Sequence, residues 1–264
     1  MSTTSSSLAF CFLTKGSHNQ SKLWYNFFQK TCPSKFNIYC HNKEHFQYSD
    51  FFLKNYEINN KIPTSWGDIS LVKATLLLFK EAFKNTDNKF FILLSESCIP
   101  LYNFSKIYNF LNSYNTNLID YDENWDPFKD TCEWNYLNKM KTVQDCPFFK
   151  THPLKKASQW LCLDRQTVDF FLKNDHTNIF SPIHAVDENY FSTLIKSYSL
   201  KYTKFSMTFT NWGTYINPRH PQKFNVLNEE IITKARHRPS LFMRKISPGC
   251  EISNNLSEFI LKEH

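Results

Sequence analysis

Three short apolar runs, each followed by a segment of helical period, constrain this chain more than any other feature. Residues 8–13 read Leu-Ala-Phe-Cys-Phe-Leu, 36–41 read Phe-Asn-Ile-Tyr-Cys-His, and 89–94 read Lys-Phe-Phe-Ile-Leu-Leu. The last run is almost unbroken, as expected of a strand covered by helices on both faces. Between the runs, 22–30 places Leu23, Trp24, Phe27 and Phe28 on one helical face, and 68–84 aligns Val72, Leu76, Phe79 and Phe83. Asn103 reads as the cap of a further helix carrying Phe104, Ile107, Tyr108 and Leu111. This β-α-β-α-β-α order predicts an α/β fold with a mostly parallel, doubly wound sheet and helices on both faces. Such sheets bind ligands at the carboxyl ends of their strands, near the switch point. Segments 41–43 and 95–100 are therefore the expected nucleotide positions.

The 264 residues, with 41% hydrophobic side chains and 26 Phe, suffice for one well-filled domain. Its expected span is 8–246, between a disordered N-terminus (1–7) and a C-terminal tail (247–264). Periodicity breaks at 114–153, a long polar loop region of a length that is usually functional or disordered. Trp125, Phe128, Trp134 and Tyr136 within it suit either a sugar-binding surface or a loop pinned to the body. Regularity resumes with a strand at 158–163, a helix at 164–174 and another helix starting near Asp187.

Only 4 Gly residues speak against a glycine-rich phosphate loop. The +7 charge is spread over scattered lysines, with no zinc-type Cys/His spacing or basic helix, so nucleic acid is not an expected partner. The run at 8–13 is too short to span a bilayer. No transmembrane segment or signal peptide is expected, and the location expected is cytoplasmic. The 8 Cys residues read as reduced thiols, with Cys132 and Cys146 the candidates should any pair form. Richness in Lys, Asn, Ile, Phe and Tyr points to an AT-rich genome, such as that of a giant virus or a protist.

Residues 89–102, Lys-Phe-Phe-Ile-Leu-Leu-Ser-Glu-Ser-Cys-Ile-Pro-Leu-Tyr, closely resemble the signature of the Core-2/I-branching β-1,6-N-acetylglucosaminyltransferase family, in particular its plant-type branch. Further landmarks stand in the family's order. They are the strands at 8–15 and 38–41, Trp66-Gly67 with Ser70, Val72 and Ala74, then Ala157-Ser158-Gln159-Trp160 with Ala157 where the family has Gly. Val186-Asp187-Glu188, Trp212, His220-Pro221 and 242–246 complete the series. The resemblance covers 8–246. It implies a GT-A-like fold, a UDP-sugar donor, inversion at the anomeric carbon, a glycan or glycoprotein acceptor, and no cofactor or required metal. UDP-N-acetylglucosamine is the leading donor, ahead of UDP-xylose or UDP-glucose.

Carried over residue by residue, the resemblance makes Glu188 the general base, although an acidic pair at a helix start is common in any protein. Arg219 and Lys245 match the family's basic pair facing the leaving diphosphate, and Arg244 could trade places with Lys245. A pair of solvated surface cations would read the same in sequence. His41, Ser95 and Glu96 are placed on the donor side by position, although 95–97 would equally serve as a helix-capping turn; Gln159, Trp160 and Trp212 are placed on the acceptor side, where Gln159 and Trp160 could contact an acceptor or simply pack. Asp120-Tyr121-Asp122 has the form of a metal-binding Asp-x-Asp, but it also fits a solvated acidic loop with Glu123 and Asp126. Two rival readings remain at this point: an inactive glycan-binding protein on the same fold, and a nucleotide-binding α/β protein unrelated to sugars.

Overall fold

The computed structural model describes residues 6–43, 51–125, 145–212 and 220–262. The chain runs β1 (Ser7–Thr14), α1 (Ser21–Gln29), β2 (Phe36–Asn42), α2 (Phe51–Lys54), α3 (Ile69–Phe83), β3 (Asn88–Leu94), β4 (Ile99–Pro100) and α4 (Phe104–Tyr114). It continues through β5 (Asn117–Ile119), β6 (Tyr121–Asp122), α5 (Pro147–Thr151), β7 (Lys156–Ala157), β8 (Cys162–Asp164), α6 (Arg165–Lys173), α7 (Thr177–Phe180) and α8 (Tyr190–Ser197). Last come β9 (Tyr202–Lys204), β10 (Thr208–Thr210), β11 (Phe224–Leu227), α9 (Glu229–Arg236), β12 (Phe242–Arg244), β13 (Ile246–Ile252) and α10 (Leu256–Leu261).

The main sheet has the order β2-β1-β3-β8-β5-β9. β1 pairs in parallel with both β2 and β3, β5 pairs in parallel with β9, and β8 runs against both its neighbours. The expected mostly parallel α/β sheet is present, in the arrangement of a GT-A-like fold. The chain leaves β1 for β2 and then crosses back to β3, so the switch point lies between β1 and β3.

Burial on both faces explains why 8–13 of β1 and 90–94 of β3 are apolar without a break. Ala9, Cys11 and Leu13 join Phe91 and Leu93 on one face, beneath Val72, Leu78 and Phe79 of α3 and Phe191 and Leu194 of α8. Leu8, Phe10 and Phe12 join Phe90, Ile92 and Leu94 on the other, against Trp24 and Phe27 of α1 and Ile107 and Leu111 of α4. Trp24 is fully buried, and its indole Nε1 donates to the Cys98 carbonyl at 2.9 Å, so the largest core side chain leaves no polar atom unpaired. Asp68, Asn103 and Asp164 cap α3, α4 and α6 through backbone amides two to three residues on.

Three segments differ from the sequence expectation. Of 158–163, only 162 and 163 are in β8; before them the Ser158 amide donates to the Asp120 carbonyl and the Ser158 hydroxyl accepts from the Trp160 amide, so a polar turn replaces the strand. In place of a helix starting at Asp187, a 3-10 turn spans Val186–Glu188 and α8 starts at Tyr190. Left-handed Ala185 (φ 50°) sets up that turn. Residues 247–262, read as a tail, are folded. β13 pairs with β11, while Leu256 and Ile260 of α10 pack with Leu23, Ile232 and Ile246. Region 114–153 contains β5, β6 and α5; Phe128, Cys132, Trp134 and Tyr136 lie outside the described residues. The described cysteines, Cys146 among them, are free thiols. Among the described residues no helix is long and apolar enough to cross a membrane.

Trp66-Gly67 fastens the start of α3 to the turn ahead of α8. The Gly67 carbonyl accepts from the Ala185 amide at 2.9 Å, and the His184 ring lies against Gly67 while meeting Trp66 edge-on at 5.2 Å. Gly67 has φ +70°, and a Cβ there would sit 2.7 Å from His184 Cε1. Gly249 has a similar φ, +71°, with nothing within 4 Å of such a Cβ. Both alanine variants therefore carry the backbone cost, and Gly67→Ala adds overpacking. We expect Gly67→Ala to lose about 1–3 kcal/mol more stability than Gly249→Ala in urea unfolding. Equal losses would mean that His184 moves aside freely and that the contact fixes nothing.

Candidate active site

Three loops meet at the carboxyl ends of β1 and β3. The Asn19 amide donates to the Glu96 carbonyl at 3.0 Å, and the Lys15 amide donates to Glu96 Oε2 at 3.3 Å. The Ile246 amide donates to the Ser97 carbonyl at 3.0 Å, and Asn19 Nδ2 donates to the Ile246 carbonyl at 2.7 Å. The loop after β1, the turn after β3 and the β12–β13 junction thus form one rim around the switch point. Antiparallel pairing of Met243 with Ile99 brings Arg244 and Lys245 to the Ser95–Cys98 turn.

On the donor side, Glu96 joins two loops through its backbone and carboxylate and remains half-buried. Ser95 is buried, with its hydroxyl 3.0 Å from that of Ser97, so it closes the turn internally. His41 is completely buried and its Nε2 accepts from the Ile62 amide at 3.2 Å. Burial pulls its pKa down and favours the neutral ring. Ser95 and His41 therefore lie beneath the surface at the strand ends, Ser95 at 5% exposure and His41 at 0%. Lys245 is half-buried beside Arg244; desolvation, then the neighbouring guanidinium, lowers its pKa. Arg219 lies outside the described residues.

Across the rim stands the Val186–Glu188 turn. The Glu188 amide donates to the Ala185 carbonyl at 3.0 Å, so Glu188 is held one hydrogen bond from the residue fastened to Gly67. Its carboxylate Oε2 is 3.3 Å from Lys156 Nζ, and both side chains are about one-third exposed, at 35% and 34%, so both are open to solvent. Lys156 is placed by two restraints. β7 pairs with β6, setting Lys156 opposite Asp122, and the Lys155 carbonyl accepts from Asn189 Nδ2 and Ser192 Oγ at 3.0 and 2.8 Å. Lys156 escaped the sequence reading; its only signal was its place immediately before Ala157-Ser158-Gln159-Trp160.

Asp187 turns inward. Its Oδ1 is buried without a hydrogen-bond partner among the described residues, and burial, then the charge of Glu188, pushes its pKa up to about 7. Arg244 connects the two sides. Its guanidinium carbon lies over the Trp160 ring, 4.7 Å from the centroid, and feels Glu96, Glu188 and Asp187, while burial lowers its pKa. Trp160 is only 7% exposed, so it supports that guanidinium and offers no open sugar platform. Gln159 is half-buried, whereas Trp212 is 52% exposed and able to meet a ligand.

The Asp-x-Asp sits on the edge of this arrangement. The Asp120 carbonyl accepts from Ser158, and exposed Asp122 accepts the Asn124 amide at 3.1 Å. Among the described residues no group of three or more His, Cys, Asp or Glu side chains is arranged to hold a metal ion. A cavity of about 1010 Å³ between α1, the start of α4 and α10 is lined by none of the candidate site residues.

The site can therefore present an accessible carboxylate to one side of a bound molecule and a cationic rim to the other. The Core-2/I-branching enzyme family model matches residues 8–236. The rice (Oryza sativa subsp. japonica) protein Glycosyltransferase BC10 is 28% identical over 173 residues, which is 64% of this chain and 41% of the rice protein. The aligned part thus spans about two fifths of that relative's length. With a family match over most of its length and the corresponding sheet beneath it, the chain belongs to the Core-2/I-branching enzyme family.

Proposed function

We propose that the protein is an inverting glycosyltransferase that moves a sugar, N-acetylglucosamine in the first instance, from a UDP-sugar to a hydroxyl of a glycan or glycoprotein acceptor. UDP-xylose and UDP-glucose are the next donors in order. The observation carrying this reading is the position of Glu188, an accessible carboxylate on a braced turn, across from the basic rim at the strand ends. The family supplies the class of chemistry.

In this scheme the acceptor oxygen attacks C1 of the donor from the face opposite UDP, and Glu188 takes the hydroxyl proton as the new bond forms. The bond between C1 and the β-phosphate oxygen breaks, and its electron pair leaves with UDP. Lys245 and Arg219 stabilise the charge that gathers on the departing diphosphate. Lys156 holds Oε2 of Glu188, leaving Oε1 to accept the proton. Trp212 and Gln159 belong to the acceptor side.

Replacing Glu188 separates the roles. Glu188→Gln is expected to slow transfer by about 10²–10⁴-fold, with UDP affinity measured by calorimetry unchanged, because the base touches only the acceptor. Turnover within a few-fold of wild type would remove Glu188 from the mechanism.

The reading also assigns the cation's role to side chains. Arg219 and Lys245 supply positive charge where a metal would otherwise stand, and a divalent ion beside them would be repelled. Full activity is expected in excess EDTA, with little loss in Asp122→Asn. Activity that vanishes with chelator and returns with Mn²⁺ would move the donor site to Asp120 and Asp122.

A further inference from the structure

Lys156 has a second contact besides Glu188. Its Nζ lies 5.7 Å from the centre of the Trp125 ring, as well as 3.3 Å from Glu188 Oε2. The pairing of β6 with β7 sets this up. Tyr121 stands opposite Ala157 and Asp122 opposite Lys156, and Asp122 Oδ1 then accepts the Asn124 amide at 3.1 Å. That short turn bends the chain so that Trp125 comes beside the lysine, packed on the core cluster that includes Ala157, Val186 and Tyr190. From the other side, the backbone of Lys155 is fixed to the start of α8. Its amide donates to Thr193 Oγ1 at 2.9 Å, and its carbonyl accepts from Asn189 and Ser192. Those three side chains are at most 2% exposed, so the anchor is internal.

An exposed ion pair is worth little by itself, because a lysine on a four-carbon stem gives up side-chain freedom to hold one geometry. Lys156, at 34% exposure, is a lysine of that kind. An aromatic face beside the ammonium restricts where it can go, and tryptophan offers the strongest such face. We infer that Trp125 is a positioning residue, whose ring keeps the Lys156 ammonium on Glu188 Oε2 so that Oε1 is left to the incoming hydroxyl. The inference rests on the role proposed above for Glu188 and extends it to the segment 121–125. Trp125 acts on the reaction through Lys156 and not as a surface for sugar.

Hydrolysis of the donor without any acceptor tests this, because water then takes the acceptor's place and a ring that only stacked on acceptor sugar would have no part in it. The water oxygen attacks C1, Glu188 takes its proton, and UDP leaves with the electron pair of the broken bond. UDP release from UDP-N-acetylglucosamine, UDP-xylose and UDP-glucose gives kcat and donor KM, and calorimetry gives UDP affinity. Trp125→Leu should lower kcat about 2- to 5-fold, the worth of one exposed cation–aromatic contact, with donor KM and UDP affinity within about twofold of wild type. Lys156→Met should lose at least as much, and adding Trp125→Leu to it should cost nothing further, since both act on one ammonium. Trp125→Phe, which keeps a ring, should recover most of the rate and guards against a fold effect. Unchanged kcat in Trp125→Leu, or losses that multiply in the double variant, overturns the inference and leaves the wider reading intact. Hydrolysis that survives Glu188→Gln removes the base itself, and this inference with it.

Discussion

The Ala185 amide donates to the Gly67 carbonyl, and the proposed chemistry depends on that one backbone hydrogen bond. It joins the entry of α3 to the turn carrying Asp187 and Glu188, two segments far apart in sequence. The fit works because both partners adopt left-handed backbone, at φ +70° for Gly67 and 50° for Ala185. Only a residue without Cβ admits the His184 ring at Gly67. α3 in turn rests on β1 and β3 through Val72, Leu78 and Phe79, so the core of the sheet positions the catalytic turn. The opposite wall is set in the same way. Trp24 binds the Cys98 carbonyl and packs on Phe242, fixing the β3 turn and β12 together beneath Arg244 and Lys245.

Charge is arranged by the same economy. Glu96, Asp187 and Glu188 stand near Arg244, Lys245 and Lys156, and the resolved pKa shifts are set first by burial. Asp187 is pushed up to about 7, first by desolvation and then by the charge of Glu188. An anionic donor entering this cluster would add acceptors on the cationic side while leaving Glu188 with Lys156. The cleft is therefore poised for a ligand bearing phosphates and hydroxyls rather than for a wholly apolar one.

Much of this could be read from the sequence, for identifiable reasons. Continuous burial of β1 and β3, the stripes of α1 and α3, and the cap at Asn103 are local patterns, and local patterns survive folding. The approach of Glu188 to the basic rim could be reached only through family motifs. Contacts between distant segments were hidden. Nothing in Trp66-Gly67 announces His184 as its neighbour, and Lys156 reads as one more surface lysine until the β6–β7 pairing puts it against Glu188. Trp160 could equally have met an acceptor or simply packed, because sequence does not show which way a side chain points; it lies under Arg244. The 3-10 turn at Val186–Glu188 was missed because Asp-Glu before an apolar stripe is also how α-helices begin.

The central claim is that a single carboxylate, Glu188, acts from the face of the sugar opposite the diphosphate. Product stereochemistry tests that most directly. Proton NMR of the anomeric signal, after transfer from an α-linked UDP-sugar, reports which face was attacked. One base and one displacement predict a β-linked product. An α-linked product would contradict the account, since retention needs the leaving group and the acceptor on the same face and would take Glu188 out of its assigned place.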